Sequence, residues 1–235
     1  MVNSDYKKNT IVLRRTVDDE QARRIIEEKK TAPFRFLLKK PDRDEVHVHA
    51  VTLNYEPVIM VSGRYTADYY RSAVHPIKVD YNVTEVVLGG GVFPIQSKSK
   101  WKQALSTKKA KNKVDLILEE HAFIDDEHVA YFDHHGKEVK FNVKMDAKSV
   151  ENYPSKILGD KSNTVKKPEV SDKDVIDGLF AKLSRPSGAK IRDLKEKLTI
   201  NEISEIYVPV YEARLVGPKK KVEILRLDAV ANRIL

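Results

Sequence analysis

Three groups of residues have the types and spacing to do chemistry. The first is His121, Asp125, Asp126, His128, Asp133, His134 and His135, a dense run of metal-ligating side chains. A metal centre of that kind needs donors converging from several elements on one divalent ion. Asp and Gly are also what a tight turn selects, so Asp133-His134-His135-Gly136 reads equally as the bend of a hairpin. The second group is His47 and His49, two apart in an alternating run and so on one face, the geometry of a chelating pair. Asp44 or His75 would have to complete it, and a half-exposed strand alternating His with Val looks the same. The third group is basic and aromatic: Arg64, Tyr65, Tyr69, Tyr70 and Arg71, then Trp101 among Lys98, Lys100, Lys102, Lys108 and Lys109, then Lys219-Lys220-Lys221. Bases stack on aromatic faces while Lys and Arg neutralise phosphates, so this group fits a single-strand-binding surface. Its competitor is a set of tyrosines packed between layers beneath a solvating skin of lysine.

Val129-Ala130-Tyr131-Phe132-Asp133-His134-His135 resembles the strand-then-Asp-His-His motif of the DHH phosphoesterases. The resemblance implies a metal-dependent phosphoesterase centred on Asp133 and His134. The family's other acidic motif follows an N-terminal strand, whereas Asp42-Arg43-Asp44 precedes one. The closing segment, through Asp228-Ala229 to Ile234-Leu235, looks like the last hairpin of PepSY-type modules, with Arg233 where a glycine is usual. Gly89-Gly90-Gly91 follows a strand as phosphate-cradling loops do. Val92-Phe93-Pro94 then forbids the helix whose N-terminus would hold the phosphate, and no Gly-x-Ser-x-Gly elbow is present. No cofactor is expected.

The elements that must position these residues follow from pattern. Thr10 to Leu13 reads as a strand and Thr16-Val17-Asp18-Asp19 as a capping box opening a helix with Ala22, Ile25 and Ile26 on one face, which Pro33 stops. Phe34, Phe36 and Leu38 alternate as a strand. Val46 to Leu88 reads as a β-meander, with Gly63-Arg64 its bend and Pro57 marking an edge strand or a strand start. Gln96 to Lys113 is too densely lysine-rich to line a core and is expected to be a mobile basic loop or a frayed helix through Trp101 to Leu105. Val129/Tyr131 and Val139/Phe141/Val143 flank a turn at 134–137, a hairpin with Gly136 suited to positive φ. Ser171 to Asp174 is a second capping box, Ile191, Leu194 and Leu198 predict a further helix, and a hairpin turns at Gly217-Pro218. Tyr55-Glu56-Pro57-Val58 is echoed by Tyr207-Val208-Pro209-Val210, which is either a true duplication or two ordinary hairpins entered through a proline.

The chain has 235 residues, no cysteine, and 43 basic against 35 acidic residues, a net charge of +8. Disulfides, thiolate metal sites and cysteine nucleophiles are excluded. The charge favours polyanions as partners. No apolar run is long enough for a membrane helix and no signal-peptide core follows Met1, so a soluble cytoplasmic protein with no membrane partner is expected. The fold class expected is α+β: a mostly antiparallel β domain with one packed helix over 1–154, a linker over 155–173, and a small helix-helix-hairpin domain over 174–235. The expected function is non-enzymatic binding of nucleic acid or another polyanion through Arg64, Tyr65, Tyr69, Arg71, Lys98, Lys100, Trp101, Lys102, Lys108 and Lys109. The alternative is a protein–protein adaptor or homo-oligomer that pairs through exposed edge strands at Pro57 and Pro209.

Overall fold

The structure, a computed structural model, describes residues 5–35, 40–95 and 112–235. β1 (Lys7–Val12) is followed by α1 (Asp19–Lys29), β2 (His47–Val79), β3 (Glu85–Leu88), β4 (Gly91–Pro94) and β5 (Asn112–Phe132). Then come α2 (Pro154–Leu158), β6 (Thr164–Val165), α3 (Asp172–Phe180), β7 (Ala189–Val216), β8 (Val222–Asp228) and β9 (Arg233–Ile234). Strands take 52% and helices 16%, a mostly antiparallel sheet with few helices. Among the described residues the main sheet runs β5-β2-β7-β8-β9, with β1 also on β7 and β6 also on β2, while β3 and β4 form a two-stranded sheet. β2 and β7 run antiparallel: Thr52 meets Glu212, and Gly63 lies against Thr199. Among the described residues no helix is long and apolar enough to cross a membrane.

The chain is two copies of one β–α–β–β unit, knitted together. The first copy is β1, α1, β2 and β5; the second is β6, α3, β7 and β8. The short strand of each copy pairs in parallel with the long strand of the other, Val12 opposite Tyr207 and Val165 opposite Tyr55. The next residue makes the same hydrogen bond in both, Leu13 N to Tyr207 O and Lys166 N to Tyr55 O, each 2.9 Å. Both helices open with a capping box, at Asp18 and Ser171, and bury matching positions, Ala22 and Ile26 in α1, Val175 and Leu179 in α3. Both hairpins end in an aspartate whose Oδ1 accepts two amides beyond it: Asp133 from His135 and Lys137, Asp228 from Val230 and Ala231. Even the tie between hairpin and helix recurs, Thr16 N to Ala229 O and Glu169 N to His134 O, each 2.8 Å. α1 packs on β7 and β8 around Tyr211, Leu215, Leu225 and Leu227. α3 packs on β2 and β5, with Gly178 against the Phe132 ring. Each helix therefore covers the hairpin of the other copy.

This arrangement explains the tyrosine–proline echo and corrects where its prolines sit. β2 and β7 are interior strands, not edges. Along one flank of β7, β1 ends at Tyr207 and β8 begins at Val210, so Pro209 falls at the changeover. Pro209 O accepts from Ala229 N (3.0 Å), so its missing N–H would face that same flank, where the opposing acceptor, Ala229 O, is already taken by Thr16 N and Val17 N. Pro57 stands in the same relation to β6, whose pairing ends at Tyr55, and to β5, whose terminal turn at Asp133 and His134 shares a cavity wall with Pro57.

Other expectations change for local reasons. The meander over Val46 to Leu88 is one 33-residue strand followed by the β3–β4 hairpin. Gly63 does not bend it; a Cβ there would come 2.9 Å from Thr199 O and 3.0 Å from Leu179 Cδ2, so glycine is required by close approach. The helix expected at Ile191, Leu194 and Leu198 is the start of β7, in which Asp193 at φ 53° interrupts the alternation and lets apolar residues fall at helix-like spacing. α1 starts from Asp18, with Gln21 completing the box, because Thr16 Oγ1 is committed to the carbonyls of Ala229 and Val230. Phe34 belongs to a 3-10 turn, and Phe36 and Leu38 lie outside the described residues. The 155–173 stretch carries most of α2 and all of β6. Gly136, at φ 85°, turns the chain as expected, but the return past it makes an isolated bridge, Phe132 to Glu138, in place of the expected strand through Val139, Phe141 and Val143.

By packing, the chain forms two compact units. One comprises Tyr65–Asp126 and Ser184–Leu198; the other comprises Val2–Arg64, Glu127–Leu183 and Thr199–Leu235. β2, β5 and β7 each contribute residues to both.

Candidate functional site

Within the smaller unit, β2, β5 and β7 present two unlike faces. Tyr65, Ala67 and Tyr69 of β2 alternate onto one face and are buried, as are Val114 and Leu116 of β5. Burial, and then a 2.8 Å hydrogen bond from its hydroxyl to Glu196 Oε2, pushes the Tyr65 pKa up to about 12. Arg71 lies on this side too. Its Nε donates to Glu120 Oε2 at 2.8 Å and its NH1 to Ser187 O at 3.2 Å, while His75 Nε2 meets Glu120 Oε1 at 2.6 Å. The Arg71 bond, followed by that of His75, holds the Glu120 carboxyl below its usual range.

The other face is exposed and is where rings and charges meet. Tyr70 stacks on His121 with ring centroids 4.5 Å apart and planes 11° from parallel. The Arg192 guanidinium lies over the same Tyr70 ring, 4.3 Å from its centre. Arg192 is held flat by a two-pronged pair with Glu119, Nε to Oε1 at 2.7 Å and NH2 to Oε2 at 2.5 Å, which raises its pKa. His121 Nε2 bonds to Asp68 of β2. Because β5 alternates, Ile117, Glu119, His121 and Phe123 share this face. Ile117 is 62% and Phe123 67% exposed, and Val74, in phase with Tyr70 on β2, is 58% exposed. On β7, Lys195 and Lys197 alternate with Glu196, which faces Tyr65, and so point with Arg192 to the exposed side.

Of the residues expected to bind, Tyr65 and Tyr69 are buried and offer no ring face, Arg71 is engaged by Glu120, and Arg64 is exposed on β2 in the larger unit. Lys98, Lys100, Trp101, Lys102, Lys108 and Lys109 lie outside the described residues. Tyr70 joins a cluster whose other members, His121 and Arg192, come from β5 and β7. Strand alternation alone separates Tyr70 from Tyr69; nothing local signals Arg192.

The seven-residue ligand run does not converge. His121 is stacked on Tyr70, Asp126 Oδ2 accepts from Ser184 N at 2.7 Å, and Asp133 caps its own turn. Among the described residues, the one metal-ligating group that does converge is His134, His135 and Glu169 in the larger unit, each offering an atom within 4.8 Å of the others. Neither Asp42 nor Asp44 belongs to it, and among the described residues His47 and His49 gain no third ligand.

Two of the cavities in the larger unit are lined by paired charges. One, about 710 Å³, is lined by Arg15, Asp19, Tyr55, Glu151, Lys156 and Asp160 among others. Its size suits a small ligand, but its charges answer one another: Arg15 NH1 donates to Asp19 Oδ1 (3.0 Å), and Asp160 Oδ1 accepts from Ser162. The other, about 330 Å³, opens beside Glu56, Pro57, His134 and Arg226. Glu56 there accepts from Lys166 Nζ at 2.8 Å and from Arg226. Comparison of the chain with family models, curated proteins and solved structures finds no match.

Proposed function

We propose that the chain is a non-enzymatic binding protein that takes single-stranded nucleic acid, or a polyanion like it, on the exposed face of the smaller unit. The observation that carries this reading is the Tyr70–His121 stack with Arg192 laid over the same tyrosine. Unpaired bases stack on flat groups at an open strand face: Phe123 offers an exposed ring, and half-buried Tyr70 backs the His121 ring and the Arg192 plane on the same side. Arg192, Lys195 and Lys197 supply the phosphate-facing charge, and the segment joining β4 to β5 adds, in sequence, the lysines around Trp101. Glu119 and Asp68 oppose an anion, but Glu119 is already paired with Arg192 and Asp68 is hydrogen-bonded to His121. The test is fluorescence anisotropy with labelled oligo-dT and a duplex control across a salt series. Binding is expected to prefer the single strand and fall steeply with salt. Tyr70→Ala or Phe123→Ala should each cost about 1–3 kcal/mol, and Glu119→Gln, which removes a repelling charge, should strengthen it. No binding at low salt, or binding indifferent to salt, overturns the reading.

A second reading has its own support, in the exposure of Val74, Ile117 and Phe123 together. Apolar side chains gathered on one strand face suit a protein partner or a second copy of the chain. Salt-indifferent self-association by light scattering, lost in Phe123→Ser, would favour it.

A further inference from the structure

The turn after β5 brings two imidazoles and a carboxylate together by a construction that does not need them. Asp133 Oδ1 accepts from His135 N at 3.0 Å and Lys137 N at 2.9 Å, and Asp133 N donates to Lys137 O at 2.8 Å, closing the turn and sending His134 and His135 to one side. Their ring centroids lie 3.8 Å apart. Glu169 is delivered from a different element: its amide donates to His134 O at 2.8 Å, just ahead of the Ser171 cap of α3. Its Oε2 lies 2.7 Å from His135 Nδ1.

The internal duplication supplies a control within the same molecule. The matching turn after β8 is built by Asp228, with Ala229 and Val230 at the places of His134 and His135 and Thr16 at that of Glu169. Its tie from Thr16 N to Ala229 O has the same 2.8 Å length. The fold therefore makes this corner with its turn-closing aspartate alone, without a histidine or a second carboxylate, and His134, His135 and Glu169 are additions to it. Two adjacent imidazoles with a carboxylate brought up to them from another element are a donor set that the turn itself does not call for.

We propose that His134, His135 and Glu169 bind a divalent transition-metal ion of the zinc class. Two imidazole nitrogens with one carboxylate oxygen select such ions over Mg²⁺ and Ca²⁺, which prefer all-oxygen shells. His135 and Glu169 are exposed, so the remaining coordination position faces solvent and takes water or an outside ligand. The ion would cross-link the end of β5 to the segment leading into α3, two elements that belong to different copies of the repeat.

The full, tag-free chain, stripped with chelator, is titrated with Zn²⁺ in competition with a chromophoric chelator. The comparison is the triple variant His134→Ala, His135→Val, Glu169→Thr, which installs the residues of the sister turn and so keeps a corner the fold already tolerates. Wild type is expected to take one Zn²⁺ per chain and to melt at higher temperature with Zn²⁺ present, as any ligand of the native state requires. The variant should bind it roughly tenfold or more weakly, lose the melting shift, and keep the wild-type circular dichroism. Absence of zinc uptake by the wild type, equal uptake by a folded variant, or a melting shift with Mg²⁺ as large as with Zn²⁺ overturns the assignment. Single substitutions His134→Ala and Glu169→Gln, each weakening zinc with the fold intact, separate ligand loss from misfolding should the triple variant lose structure.

Discussion

At the scale of single residues, Glu56 joins the copies. It sits on β2, nearly enclosed, and takes hydrogen bonds from Lys166, one residue past β6, and from Arg226 of β8. Burial alone would raise its carboxyl, but the Lys166 bond and the neighbouring Arg226 outweigh burial and hold it below its ordinary 4.5. A carboxyl lowered by folding stabilises the native state above its unfolded pKa, and that contribution is lost as pH falls through the folded value. Glu56→Gln should therefore cost about 2 kcal/mol near neutral pH, with the difference from wild type shrinking as pH drops below 4.5. Urea unfolding at several pH values measures it, and a constant difference would show that the charge is not what matters. Residue identities were legible in the sequence to differing depth. The basic–aromatic cluster around Arg64 to Arg71 was visible, but Tyr65 and Tyr69 are in phase with buried Ile59 and Val61, and only Tyr70 faces outward. Arg192 and Glu169 reach their sites from distant parts of the chain, and no local pattern announces a contact made by tertiary pairing.

At the scale of elements, the duplication makes a quantitative demand. Asp18 and Ser171 cap equivalent helices with equivalent bonds, Oδ1 to Gln21 N at 2.8 Å and Oγ to Asp174 N at 3.3 Å. Asp18→Ala and Ser171→Ala should each lower stability by about 1 kcal/mol, measured as a shift of the urea midpoint with an unchanged slope. The shorter bond at Asp18 places its cost at the upper end. Capping boxes and the Gly136 turn were legible because their chemistry is local: a side chain meets an amide two or three residues away. The long strands were not, because Pro57 and Gly63 are breakers by type. Here each answers a neighbour, a partner changeover for the proline and the close approach of Thr199 and Leu179 for the glycine. Ile191, Leu194 and Leu198 mislead for a related reason, since one left-handed residue, Asp193, converts a period of two into a helix-like spacing.

At the scale of the whole molecule, neither copy is complete alone: β1 lies on β7, β6 lies on β2, and each helix covers the other hairpin. Chains cut between Asn142 and Val143, outside any element, should show no cooperative unfolding as separate monomers and regain it when mixed, followed by circular dichroism. A cooperative monomeric transition in either fragment would contradict the knitted arrangement. The four-residue Tyr-x-Pro-Val echo and the two capping boxes were the traces of this design in the sequence, because the two copies share hydrogen bonds and burial far more than they share side chains. The pairing of β1 with β7 also sets a schedule. Lys7 must wait for Glu202, and at about 5–20 residues added per second the ribosome leaves that strand without its neighbour for on the order of 10–40 s. A β-strand idling beside a growing chain invites capture by the wrong edge. Lys7 and Lys8, which open β1, give that strand like charges of the kind that disfavour pairing with a wrong edge.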